Sequence, residues 1–169
     1  VAQSPAIFAD WRPVSALAPG VLGQTGVETG EVICGVLDRV RPAVVIAVDA
    51  LAAGRLSRLL RTVQLADTGI TPGAGVGNAR AALNKETLGV PVIAVGVPTV
   101  VDGATLAHEI SSQLGQPACE ALDDLSQPVM ITTRDIDREV ADISRMIGYA
   151  VNMALHPHLS VADIDLYLS

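Results

Sequence analysis

The sequence predicts an α/β layered fold with buried parallel strands, and three observations carry that reading. Two continuous apolar runs rich in β-branched residues, Ala43 to Val48 and Pro91 to Val97, have the length and the turn-like boundaries of strands covered on both faces. Segments with helical spacing alternate with them, the pattern of a layered α/β fold. Half of the 169 residues are hydrophobic but only 2% are aromatic. The apolar mass therefore lies in Ala, Val, Leu and Ile, which suits strands covered by small-residue helices.

The elements follow in order. Leu17 to Gly26 is punctuated by Gly and Pro and reads as a loop. Val32, Ile33, Val36, Leu37 and Val40 then recur at helical spacing, with Glu28 and Glu31 where the helix dipole favours acid; Arg39 and Arg41 close the helix and Pro42 stops it. After the Ala43 to Val48 strand, Ala50 to Leu60 resumes helical spacing, and Thr62 to Ala66 reads as a short strand. Four glycines and a proline make Asp67 to Asn78 a loop. Pro98 ends the Pro91 to Val97 strand, Ala104 to Leu114 is helical, and Gly115 to Pro128 is a polar, acidic connection. Thr133 caps a last helix, on which Ile136, Val140, Ile143, Ile147, Val151 and Ala154 form an apolar stripe up to Pro157.

Bulk properties exclude some functions. The net charge of −7 and the lack of any basic run argue against a nucleic-acid surface, which needs clustered Lys and Arg. The longest apolar stretches fall well short of the roughly 20 residues of a membrane-spanning helix. Cys34 and Cys119 form no CxxC pair and read as buried, inert thiols in a reduced interior. Val1 to Asp10 lacks an initiator Met and clear periodicity, and reads as a chain that begins mid-protein.

In open parallel sheets, catalytic groups collect just past the carboxyl ends of strands. Asp49 follows Val44-Val45-Ile46-Ala47-Val48 directly. Burial there would raise its pKa and suit it to general acid/base work or metal ligation; the alternative is an N-cap for the following helix. The loop from Asp67 contains Gly73-Ala74-Gly75-Val76-Gly77, which matches neither the dinucleotide nor the phosphate-loop fingerprint; Asn78 stands where a third fingerprint Gly would fall. It fits better as a backbone rim for an extended peptide, with a structural turn as the alternative. Asp67 is the runner-up carboxylate. Asp102, after Pro98-Thr99-Val100-Val101, reads as a helix cap. His108, His156 and His158 lie on different elements without metal-site spacing, and no GxSxG elbow occurs. Carboxylate chemistry is what remains, and it needs more than one acid.

Several long segments carry a family resemblance. They are Arg12 to Thr29, Val45-Ile46-Ala47-Val48-Asp49-Ala50-Leu51-Ala52-Ala53, Gln64 to Ile70, Pro72-Gly73-Ala74-Gly75-Val76-Gly77-Asn78, Glu86 to Asp102, and Asn152-Met153-Ala154-Leu155-His156-Pro157. In order and in wording they resemble the germination proteases of spore-forming bacteria, and specifically the C-terminal part. The resemblance implies a three-layer fold with a mostly parallel sheet, like that of the hydrogenase-maturation endopeptidases. It implies that residues 1–169 are one incomplete domain of a longer protease, a zymogen and homo-oligomer of the spore core cytoplasm. The implied substrates are small acid-soluble spore proteins, cut at germination, with no direct nucleic-acid or membrane binding.

Two aspartates are implied as catalytic, and Asp49 matches the second. The first belongs to an upstream Thr-Pro-Asp segment that this sequence lacks, so the 169 residues alone are expected to be inactive. Asp67, Thr68, Gly73, Gly75, Gly77 and Asn78 are the candidate substrate rim or second acid. The only cofactor the resemblance raises is a divalent metal, which would involve Asp49, as older metallopeptidase classification of the family implies. The alternative is a non-catalytic binding or assembly module that keeps the fold without the upstream acid. Gly54-Arg55, which departs from the family's usual pattern, has no assigned role.

Overall fold

In the computed structural model, which describes residues 8–117 and 129–168, the two apolar runs pair side by side as parallel strands. They are β1 (Val45–Ala53) and β3 (Val92–Asp102), in register from Val45 opposite Val92 to Leu51 opposite Pro98. The short β2 (Gln64–Ala66) lies antiparallel on the other side of β3, and β4 (Met130–Ile131) pairs antiparallel with the last residues of β3. The four-stranded sheet is therefore mixed, not mostly parallel as expected. The connection from Gly54 to Val63 explains this. It is shorter than the dozen or so residues that a parallel crossover needs, so the chain reverses and β2 runs back antiparallel.

Both main strands outrun their predicted ends. β1 continues through Asp49 to Ala53, where a helix from Ala50 to Leu60 was the expectation. Tertiary pairing overrides the helical preference of this Ala- and Leu-rich stretch. Gly96 helps: a Cβ there would lie 2.3 Å from Cδ1 of Leu51, so its absence leaves the space that Leu51 fills. β3 passes straight through Pro98 because the register shifts there. Ala52 pairs with Val100, so Thr99 is the extra residue of a bulge, one of the few places a sheet accepts proline. The Pro98 carbonyl still accepts a hydrogen bond from the Leu60 N–H at 2.8 Å. Ala53, Leu59 and Val101 form a buried cluster at this end of the sheet, with Leu60 and Ile131 packed on it.

The helices are closer to expectation. After a single helical turn, α1 (Leu22–Thr25), inside the predicted loop, α2 (Thr29–Val40) ends on Arg41 in the left-handed region, just before Pro42. The four-residue α3 (Lys85–Leu88), too short to show periodicity, is held by a reciprocal Asn84–Thr87 capping box. Asp102 caps α4 (Gly103–Gln113), its Oδ1 accepting the Ala104 N–H at 2.7 Å. Cys34 on α2 is an exposed free thiol, not the buried one expected, because it falls off the apolar face of that helix. Cys119 and most of the predicted Gly115 to Pro128 connection lie outside the described residues, as do residues 1–7.

These elements, Pro19–Ile136, form one compact unit; a second joins residues up to Ala18 with Asp137–Ser169. The second unit holds α5 (Ile136–Leu155), where the apolar stripe predicted it, and α6 (Val161–Leu168). The signal for α6 was the Ser160-x-x-Asp163 pattern: Asp163 Oδ2 accepts the Ser160 N–H at 2.8 Å, and Ser160 Oγ accepts the Asp163 N–H at 3.2 Å. No described helix is long and apolar enough to cross a membrane.

His156 is buried between these helices and Trp11, with ring centroids 4.7 Å apart. Its Nδ1 accepts the Arg12 N–H at 3.4 Å, so that nitrogen must carry no proton. Burial, then the charges of His158 and Arg12, hold its pKa below the ordinary histidine value. A depressed folded-state pKa means the stabilisation is complete above the unfolded pKa of about 6.5 and is lost as pH falls through the folded value. The thermal midpoint reported by Trp11, the only tryptophan, should therefore drop between about pH 8 and about pH 5. A His156→Gln variant should lose that dependence; a flat wild-type profile would refute the assignment.

Candidate functional site

Asp49 stands in the middle of β1, not past its end, so it neither caps a helix nor occupies a strand terminus. It is half-buried, and its Oδ1 accepts the N–H of the adjacent Ala50 at 2.9 Å. Paired residues of neighbouring strands share a face, so Asp49, Gly96 and Gln64 form one row across β1, β3 and β2. Gly96 itself has no side chain, and that of Leu51 occupies the space above it in this row. Neither Gly96 nor Gln64 was marked from sequence, because only the register shows that they share a row with the acid. Among the described residues β1 pairs with β3 alone, so its other edge is open beside Asp49.

The glycine loop is ordered by its own backbone. Asn78 N–H donates to the Gly73 carbonyl at 3.0 Å, Arg80 N–H to the Pro72 carbonyl at 2.9 Å, and a single 3-10 turn covers Ala74–Val76. Arg80 then pairs with Glu28 at 3.1 Å, fastening the loop to the start of α2. A Cβ on Gly75 would lie 2.8 Å from that of Ala52, and one on Gly73 2.2 Å from the Asn78 carbonyl oxygen. Glycine is required at 75 for close packing on β1 and at 73 for closure of the loop on itself. Ala52 is three residues past Asp49, and strand alternation places those two side chains on opposite faces. Gly77 and Asn78 are exposed.

Asp67 and Thr68 are exposed just past β2, and Thr68 bridges to Val92. Asp67 is thus two strand spacings from β1, about 10 Å, and about three residues further down the sheet than Asp49. The structure does not bring the two carboxylates together. Nor do any three His, Cys, Asp or Glu side chains among the described residues converge as metal ligands, so these residues alone do not make a metal site around Asp49.

A second feature lies beyond the carboxyl end of β1. Gly54, Arg55 and Ser57 face His108, Glu109 and Ser112 of α4 across an open cleft of about 640 Å³. Both carboxylate oxygens of Glu109 lie 3.2 Å from the Leu56 N–H that they accept, which ties the turn after β1 to α4.

Compared with known proteins, residues 2–117 match the family model described as germination protease. The chain belongs to the germination protease family. It is 40% identical to the germination protease of Clostridium perfringens and 42% identical to that of Caldanaerobacter subterraneus, over 94% and 93% of its length. Over 59% of its length it is 62% identical to the germination protease of Bacillus velezensis. It spans 57% of the length of the Clostridium perfringens relative and 56% of the Caldanaerobacter subterraneus one. The stretch that matches the family model contains β1 with Asp49, the glycine loop and the cleft beside α4.

Proposed function

We propose that this chain is the Asp49-bearing part of an endopeptidase that opens the degradation of small acid-soluble spore proteins at germination. The family match across residues 2–117 is the observation that carries this reading. Asp49 is one of two catalytic acids. The other comes from outside these 169 residues and reaches the row of Asp49, Gly96 and Gln64 from the open side of β1. One carboxylate accepts a proton from water as the water oxygen attacks the scissile carbonyl carbon. The second, protonated, delivers its proton to the amide nitrogen as the C–N bond breaks. The two units are portions of one domain of the longer protease, whose completed fold resembles that of the hydrogenase-maturation endopeptidases. The working enzyme is a homo-oligomer of the spore core cytoplasm.

A non-catalytic assembly module is the competing reading, favoured by the separation of Asp49 from Asp67. One experiment decides between them. The longer protein that contains this chain should cut acid-extracted small spore proteins into discrete fragments visible by mass spectrometry, and the 169-residue chain alone should not. Intact substrate after prolonged incubation with the longer protein would leave the module reading standing.

A further inference from the structure

The connection after β1 concentrates positive charge in an otherwise acidic chain. Arg55, Arg58 and Arg61 are three of the 11 Lys and Arg residues, against 18 Asp and Glu. Two consecutive reverse turns hold them: Arg58 N–H donates to the Arg55 carbonyl at 3.0 Å, and Arg61 N–H to the Arg58 carbonyl at 3.1 Å. Residues at the two ends of such a turn have Cα atoms within about 7 Å of each other. The three arginines thus sit at successive corners of one short segment. Leu59, between them, is buried in the core cluster, and Leu60 takes the left-handed backbone that the second turn needs. Glu109 pins the first turn through the Leu56 N–H. The segment is fixed by packing and backbone bonds, while all three arginines are exposed and none has an ion pair among the described residues.

The turns fix the backbone from which three solvated arginine side chains extend, and the segment is held in the fold through Leu59 and Leu60. The spacing of the arginines fits a ligand. Alternate side chains of an extended peptide project on one side about 6.6 Å apart, a spacing within the limit of about 7 Å on the Cα separation of the turn corners. Guanidinium pairs carboxylate in a forked geometry that lysine cannot match. The site lies past the carboxyl end of β1, the strand that carries Asp49, and Arg55 also lines the cleft against α4. We infer that Arg55, Arg58 and Arg61 form a docking site for an acidic stretch of an extended polypeptide, with carboxylates at alternate positions. That the stretch belongs to the substrate rests on the endopeptidase reading; that the site binds acidic peptide does not. A nucleic-acid ligand fits less well, because three arginines on a chain of net charge −7 make no extended basic track.

The test separates those layers by measuring binding without cleavage. A fluorescent decapeptide with Glu at alternate positions is titrated into the 169-residue chain by anisotropy, beside the same peptide with Gln. The Glu peptide should bind about tenfold or more tightly, and added salt should erase the difference. Arg55→Gln/Arg58→Gln/Arg61→Gln should lose it, while Arg39→Gln on α2 should keep it. If the triple variant fails to fold by circular dichroism, the three single variants are used, and each should lose part of the preference. Equal binding of the two peptides, unchanged binding by the variants, or tighter binding of a single-stranded oligonucleotide would overturn the inference. In the longer protein, the peptide preference surviving alongside an absence of any cleavage would sink the endopeptidase reading and leave the docking site in place.

Discussion

Under the proposed two-acid mechanism, Asp49→Asn is expected to lower kcat/KM of the active protease on a spore-protein substrate about a thousandfold, the scale of a lost general acid or base. The substitution is nearly isosteric, and its amide oxygen can still accept the Ala50 N–H that Oδ1 accepts at 2.9 Å in the native chain. Asp49 is only half-buried, and the exchange of a carboxylate oxygen for an amide nitrogen leaves its contacts with the neighbouring Leu51 side chain nearly unchanged, so packing changes little. Stability should therefore stay within about 1 kcal/mol of wild type while activity collapses. Steady-state cleavage rates read beside urea midpoints would show this split. Activity within a few-fold of wild type would remove Asp49 from the catalytic pair, and an equal fall in both quantities would make it a structural residue.

The largest stability effect is expected at Gly69. Its φ of +83° lies in the region that disfavours a side chain, and a Cβ would sit 2.2 Å from the Leu83 carbonyl oxygen and 2.8 Å from Cα of Asn84. Those neighbours are backbone, and they cannot swing aside. Ile70 N–H bonds to that same Leu83 carbonyl at 3.0 Å, and Leu83 N–H returns to Ile70 at 2.7 Å, so relief of the clash would open this bridge at both ends of the glycine loop. Gly69→Ala should cost more than about 3 kcal/mol. Gly77→Ala provides the comparison: φ is +71° but nothing lies within 4 Å of the added carbon. It should cost only the backbone penalty of about 1 kcal/mol. Equal shifts in the two urea midpoints would mean that backbone conformation, and not the contact with Leu83 and Asn84, sets the requirement for glycine.

The sequence carried the fold class and the two main strands, because runs such as Val92 to Val97 are apolar on both faces and bounded by turns. It carried the stripe of α5 and the cap of Asp102 for the same local reasons. What it missed was decided at a distance. Pro98 looks like a stop, yet the bulge at Thr99 absorbs its missing N–H and the strand continues. Ala50 to Ala53 has helical composition but lies in a nine-residue strand through its pairing with β3. The mixed sheet depends on how the Gly54–Val63 connection turns, and no periodicity encodes that. At the site, Asp49 was legible as a lone acid in an apolar run. Its neighbours Gly96 and Gln64, and the corner positions of Arg55, Arg58 and Arg61, emerge only from register and turn geometry.

The open side of β1 has a practical consequence. A nine-residue strand of sequence Val-Ile-Ala-Val-Asp-Ala-Leu-Ala-Ala, with one edge unpaired among the described residues, is a template on which a second copy can add, and such templates seed aggregates. Asp49 is the only charge in it. A charge in that position acts as a gatekeeper against edge-to-edge pairing of strands. Neutralising it removes that protection, so an Asp49→Asn chain should aggregate at a lower concentration than the wild-type chain.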